Sequence, residues 1–322
     1  MGSKQLISEL RPGDKVESYF SVNYKKPVSD YRHGSMFEFR AADKSGQITV
    51  KYWGGQDKQA VQRLYDSFDR DGVVVIRGEV AEYRGAIEIS VSEKNGGSVS
   101  NAREGEYDLS ELIKAYENID EMKARLRGYV EDVRDPHLKS LLDSFFGDME
   151  FLEAFAAAPA SITLHSAAVG GLLHHTNHVV EICLRVTELH PELDRDLVIA
   201  GALLHDIGKI QSFKVTSNIQ ATEQGNLVGH IMIGDQELLA HIARIPDFPQ
   251  LTASKIRHIL LAHHGKKEWG SPVEPMFPEA LAVHEADDLD AKLDNMIAKR
   301  EGAATEDDWI WDQRLSRLIY LK

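Results

Sequence analysis

Leu197–Leu204 (Leu-Val-Ile-Ala-Gly-Ala-Leu-Leu) carries no polar side chain, and His205 and Asp206 follow it at once. Such a run is too apolar to face water, so it predicts a buried helix with the doublet at its end and Gly208 as its stop. Two ionisable groups side by side at the end of a buried helix are costly unless something compensates them. A divalent metal is the usual compensation, because imidazole and carboxylate are both ligands and the ion's charge offsets their desolvation. The chain must therefore build a core around this helix and bring further ligands to its end.

The 322 residues are enough for two domains, each with its own core. A hydrophobic share of 43% and a charged share of 27% are those of an ordinary globular protein. No apolar run approaches the roughly 20 residues of a membrane helix, and the N-terminus shows no secretory pattern. Cys183 is the sole cysteine, which excludes an intramolecular disulfide and a cysteine-rich zinc site. A cytoplasmic protein without membrane partners is expected. The net charge of −14 argues against coating nucleic acid by charge alone. Residues 1–100 are nearly balanced at about +1, which leaves roughly −15 for the remainder. A nucleic-acid role would have to come from a local groove.

Residues from about 12 to 93 read as strands: Lys15–Val22, Ser35–Arg40, Gln47–Trp53, Gly72–Val80 and Ala86–Val91, with a helix over Asp57–Ser67 after the third. That order is the OB-fold's, a partly open barrel that commonly binds single-stranded nucleic acid. Tyr24, Tyr31, Phe37, Tyr52 and Trp53 stand with Lys25, Lys26, Arg32 and Lys51 where a stacking platform needs them. The competing reading makes Phe37 and Phe39 core and the loop charges mere solvation. Residues 93–105 are polar and turn-rich. The expected organisation is an OB-fold domain over residues 1–96, a linker over 97–109 and an all-helical domain over 110–322.

The helices expected are Ser110–Gly128, Pro136–Phe146, Gly147–Ala158, Ala168–His190, a segment opened by Val228, Thr252–His264 and Pro278–Lys299. On the fourth, Leu172, His175, Val179, Ile182 and Val186 share one apolar stripe, so His175 points inward, while His174 and His178 share the polar face. On the last, Ala282, Ala286, Leu289, Leu293 and Ile297 make the apolar face. Asp287 and Asp290 border it, and His284 and Asp288 point away. The polar stretch from Lys209 to Asn226 is too long for a turn and reads as a loop over the site.

In order, the inward candidates are His175, His205, Asp206, His230, His263, His264 and Asp287. Imidazole and carboxylate ligation without thiolate suits manganese, iron, cobalt, nickel or zinc. Seven groups exceed what one ion with open positions requires, so two divalent ions bridged by Asp206 fit better. Such a pair can activate water and clamp the oxygens of a phosphodiester.

The skeleton His175 … His205-Asp206 … Asp287 resembles that of the HD phosphohydrolase superfamily, an all-helical metal-dependent fold. The closer resemblance is to the YhaM-type 3′→5′ exoribonucleases, which join an N-terminal OB-fold to an HD domain. It rests on Gly170-Gly-Leu-Leu-His-His-Thr176, Asp196 to Ile210, Gly229-His-Ile231, Ala262-His-His-Gly265, Gly270-Ser-Pro-Val273 and Asp287-Asp-Leu-Asp-Ala-Lys292, with the strand–turn–strand of Phe37–Trp53 in the barrel. The resemblance implies that His175, His205, Asp206 and Asp287 hold one metal, and that His230, His263 and His264 hold a second that shares Asp206. Manganese is the first expectation. Lys209 would face the scissile phosphate or the developing negative charge; the alternative is a solvated lysine favourably placed at a helix C-terminus. Ser166 departs from the family, which often has a second histidine there, and leaves His165 as a substrate contact.

The function expected is a metal-dependent 3′→5′ exonuclease acting on single-stranded RNA, and on DNA as a further substrate, with Asp206 and Lys209 as catalytic residues. Tyr31, Arg32, Phe37, Trp53 and His165 would contact the strand, and the resemblance implies a homo-oligomer. The rivals are an HD phosphodiesterase or nucleotidase for small nucleotides, and a non-catalytic nucleic-acid-binding protein with a structural metal.

Overall fold

The computed structural model describes residues 4–83, 85–103, 105–162, 167–301, 307–312 and 315–322. The chain divides into two compact units: residues 1–115 with 215–218, and residues 116–214 with 219–322. Each has its own hydrophobic core.

The first unit is built from β1 (Lys15–Tyr31), β2 (Gly34–Asp43), β3 (Gly46–Trp53), α1 (Lys58–Asp66), β4 (Val73–Tyr83) and β5 (Ala86–Ser92). Alternation sends Ser35, Phe37 and Phe39 of β2 and Ile48, Val50 and Tyr52 of β3 inward. The sheet runs β1-β2-β3-β5-β4, and β1 pairs again with β4, which closes the barrel. The β3–β5 pairing is parallel and the other pairings are antiparallel. Asp57 caps α1 by accepting the amide of Ala60, and Val61 is buried beneath it. This is an OB-fold.

Where a linker is expected over 97–109, the chain instead extends the sheet. Strand β6 (Ser98–Asn101) pairs with β4, setting Val99 opposite Ile76. A four-residue strand inside a turn-rich stretch is too short for its alternation to show.

The second unit is helical: α2 (Ile119–Asp132), α3 (Pro136–Phe146), α4 (Met149–Ala157), α5 (Gly171–Leu189), α6 (Arg195–Leu204), α7 (Lys209–Ser212), α8 (Glu223–Leu227), α9 (His230–Ile242), α10 (Gln250–Ala262) and α11 (Pro278–Glu301). Asp135, Asp148 and Asp194 cap α3, α4 and α6 through their carboxylates. The helix expected from Ser110 begins only at Ile119, and residues 109–111 form a single 3-10 turn. The stretch expected as a loop after Lys209 holds α7, a hairpin of β7 (Phe213–Val215) and β8 (Ile219–Ala221), and α8. A second hairpin, β9 (Trp309–Asp312) and β10 (Arg317–Tyr320), follows α11, in a stretch where the sequence reading expected no strand. Among the described residues no helix is long and apolar enough to cross a membrane.

Every residue of α6 from Leu197 to Leu204 is buried, and α6 packs against α5, α10 and α11. Burying a Leu, Val or Ile side chain contributes about 1.5–3 kcal/mol, so the apolar run anchors the doublet at the centre of the unit. The face of α11 differs from expectation. Val283, His284, Ala286 and Asp290 are buried, whereas Leu289, Leu293 and Ile297 are exposed. Helical spacing alone cannot tell which of two neighbouring stripes turns inward when one of them carries charge.

Candidate metal centre

Gly208 holds an ordinary right-handed conformation, so it does not end α6 as a left-handed stop; the helix ends at Leu204 with His205 as its cap. Its role is close approach. A Cβ there would fall 2.0 Å from the carbonyl oxygen of His230, so only glycine lets the turn after the doublet lie against the start of α9. That contact delivers His230 to Asp206. His175 comes from α5, His263 and His264 from the end of α10, and Asp287 and Asp290 from α11.

These histidines are aimed by their second nitrogens. Nδ1 of His205 donates to the Ala202 carbonyl (2.8 Å), Nδ1 of His263 to that of Leu260 (2.6 Å), and Nδ1 of His264 to that of Trp269 (3.0 Å). A carbonyl can only accept, so Nδ1 carries the hydrogen and Nε2 presents its lone pair. Nδ1 of His175 faces Asp290 Oδ2 at 2.6 Å, and Nε2 faces Asp287 Oδ1 at 3.1 Å. His175, His205 and Asp287 bring one ligand atom each to within 4.8 Å of one another, and so do His230, His263 and His264.

Asp206 stands between the two groups. Its Oδ1 lies 3.5 Å from Nε2 of both His230 and His263; its Oδ2 lies 3.2 Å from His205 Nε2 and 3.7 Å from His175 Nε2. Nε2 of His205, His230 and His263 and Oδ1 of Asp206 are all buried without a hydrogen-bond partner. Buried polar atoms left unsatisfied cost about 1–3 kcal/mol each, and here they converge lone pair on lone pair, which a cation reverses. The donor set therefore fits divalent metal.

The electrostatics agree. Burial keeps His230 well below the usual histidine range and brings His264 down to about 4, so both are neutral as ligands must be. Burial opposes charge on His175, but the Asp287 and Asp290 carboxylates outweigh it and raise its pKa to about 9. A position that grips a proton between carboxylates also suits a cation. Burial likewise opposes charge on Asp206, but the Lys209 ammonium and His205 hold its carboxyl well below the usual range. Lys209 is buried, with Nζ 2.6 Å from Asp206 Oδ2, so it is not a solvated surface lysine.

Helical spacing puts Asp290 at the border of the interior and shows no partner for it. Asp290 spans His175 and His178, with Oδ1 2.9 Å from His178 Nδ1. It orients the His175 ring and raises its basicity, as a carboxylate behind a metal-bound histidine does. The i, i+3 spacing from Asp287 was the available signal. Replacing Asp290 by Asn is expected to weaken divalent-metal binding about 10-fold or more, read by calorimetric titration of the metal-free protein with Mn²⁺. His284, expected to point away, is buried, and its Nδ1 lies 2.7 Å from the His263 carbonyl oxygen.

The expected strand-contacting residues divide. Phe37 is fully buried and stacks on Tyr52 at 4.8 Å inside the barrel, so no base can reach it. Tyr31 and Trp53 meet edge to face at 5.1 Å, both half-buried, and Arg32 is exposed beside them. Lys26 and Lys51 pair with Glu38 and Glu88, and Lys25 donates to the carbonyls of Tyr65 and Phe68. His165 lies outside the described residues.

Residues 172–292 match the HD domain family, and residues 22–94 match the OB-fold nucleic acid binding domain family. Three solved structures are similar to part of this chain. The OB domain of Ta0387 from Thermoplasma acidophilum is 16% identical, covering 31% of this chain and 86% of that one at a TM-score of 0.24. A replication protein A heterotrimer bound to single-stranded DNA is 18% identical, covering 37% and 29% at 0.26. Pot1pC of Schizosaccharomyces pombe bound to single-stranded DNA is 11% identical, covering 31% and 86% at 0.22. Fold, family matches and donor set together define an HD-domain metal-dependent phosphohydrolase joined to an OB-fold nucleic-acid-binding domain.

Proposed function

We propose that this chain is a 3′→5′ exonuclease that hydrolyses the phosphodiester bonds of single-stranded RNA, with DNA as a further substrate. The observation that carries the reading is Asp206, with one carboxylate oxygen toward each of two histidine groups. His175, His205, Asp206 and Asp287 would hold one divalent ion, manganese first among manganese, iron, cobalt, nickel and zinc. His230, His263 and His264 would hold the other and share Asp206. Such a pair supplies an activated water and neutralises charge on the phosphoryl oxygens. Lys209, hydrogen-bonded to Asp206, holds that carboxylate ionised and would set a positive charge beside the reacting phosphate. Burial of α6 keeps the ligands in place before substrate arrives.

The barrel gives the reading its polymeric substrate. The OB-fold match is to a nucleic acid binding domain, and Tyr31, Arg32 and Trp53 offer a strand a surface to lie on. The double substitution Arg32→Ala/Trp53→Ala is expected to raise KM for a single-stranded oligonucleotide about 10-fold or more. Hydrolysis of bis(p-nitrophenyl) phosphate should stay unchanged. Equal loss on both substrates would argue against a strand-guiding barrel.

A further inference from the structure

The loop that follows His263 and His264 carries an exposed tryptophan that the metal centre does not use. Trp269 is 44% exposed, yet its backbone is held firmly. Its carbonyl accepts from His264 Nδ1 at 3.0 Å, and its amide donates to the Lys266 carbonyl at 3.0 Å. Ser271 then ties the loop to α10 by donating Oγ–H to the Leu261 carbonyl at 3.1 Å. Gly265 makes this path available: its φ is +78°, and a Cβ there would lie 2.1 Å from the His284 ring. The indole is thus fixed one hydrogen bond away from a residue of the metal centre.

Two cations share the ring. The ammonium of Lys266 lies 4.5 Å from its centroid and that of Lys292 5.6 Å, and both lysine side chains are exposed. Lys292 also pairs with Asp288, and Lys266 lies 3.9 Å from Glu268. A flat aromatic face with two ammonium groups matches one ligand class: a planar base attached to a phosphate. The base would take the ring face, and a displaced lysine would stay within reach of the phosphate.

We propose that Trp269, with Lys266 and Lys292, forms a subsite that stacks the base of the terminal nucleotide while its phosphodiester occupies the metal centre. This rests on the exonuclease reading and adds how the end of the strand is held. Stacking accepts any base, so the subsite grips the terminus without selecting sequence.

The test compares wild type, Trp269→Ala and Trp269→Phe on two single-stranded oligonucleotides, one with an ordinary 3′-terminal nucleotide and one abasic there. Trp269→Ala should lower kcat/KM about 5- to 100-fold on the ordinary strand, and Trp269→Phe should restore most of it. On the abasic strand wild type and Trp269→Ala should be equal. Equal loss on both strands would show that the residue acts only by positioning His264 and would overturn the proposal, as would no loss on either. Binding of adenosine 5′-monophosphate and ribose 5-phosphate to the manganese-loaded proteins is measured alongside. Wild type should prefer the adenosine compound, and Trp269→Ala should bind both equally. A wild type that prefers the nucleotide but degrades no oligonucleotide would overturn the exonuclease reading and leave the subsite standing. No preference in wild type would overturn the subsite.

Discussion

Replacing Asp206 by alanine is expected to lower phosphodiester hydrolysis by on the order of 10³-fold or more, the scale on which losing a principal charge-stabilising group acts. The reason is geometric: one side chain faces both groups of histidines, so its loss weakens both metal positions together. Metal analysis should find both ions lost from Asp206→Ala, whereas a variant such as His264→Ala should lose chiefly one. The change also leaves the Lys209 ammonium buried without its carboxylate. Breaking a buried pair costs about 3–5 kcal/mol, so the variant should melt earlier while keeping its helical circular-dichroism spectrum. Asp206→Asn preserves volume and separates the two effects, since it should lose activity equally with less strain on packing. Wild-type turnover in either variant would sink the two-metal mechanism.

Stripping the metal should destabilise the helical unit and leave the barrel untouched. The unsatisfied atoms of His205, Asp206, His230 and His263 are buried whenever the unit is folded, so a cation there binds the folded state far better than the unfolded one. Metal at 100 times its dissociation constant stabilises by about 2.7 kcal/mol. For a unit of this size that is roughly 5–10 °C in melting temperature. Calorimetry with and without chelator should therefore move one of two transitions, and adding Mn²⁺ back should restore it. Two unmoved transitions would mean that the histidines hold no metal in the folded protein.

Much of the candidate site was legible because helical facing is simple arithmetic. His175 shares a stripe with Leu172 and Val179, all three fully buried, and Asp287 lies one turn from the buried Val283. The apolar run into His205-Asp206 located the centre without any other helix. What stayed hidden depends on contacts between elements. The i, i+3 spacing sets Asp290 on the same side of α11 as Asp287 but does not say that it meets the far nitrogen of His175, and no spacing says that Gly208 serves the approach of α9 rather than the end of α6. Leu289, Leu293 and Ile297 drew the inward face of α11 to the wrong stripe, because an apolar row outweighed a row interrupted by carboxylates. In the barrel, alternation placed Phe37 and Phe39 on one side of β2 but could not say whether that side was core or platform; closure of the sheet made it core. Trp269 stands five residues after His264 and just past Lys266 and Lys267, yet a lone tryptophan in a loop has no period to reveal it.

The most direct test is digestion of a single-stranded RNA, labelled at either end in separate reactions, with each divalent metal in turn. The 5′-labelled strand is expected to shorten stepwise into a ladder, and the 3′-labelled strand to release its label first as a mononucleotide. Both should require added metal, with manganese most effective, and both should fail with Asp206→Ala. Internal cuts, degradation from the 5′ end, or no hydrolysis with any divalent metal would contradict the account.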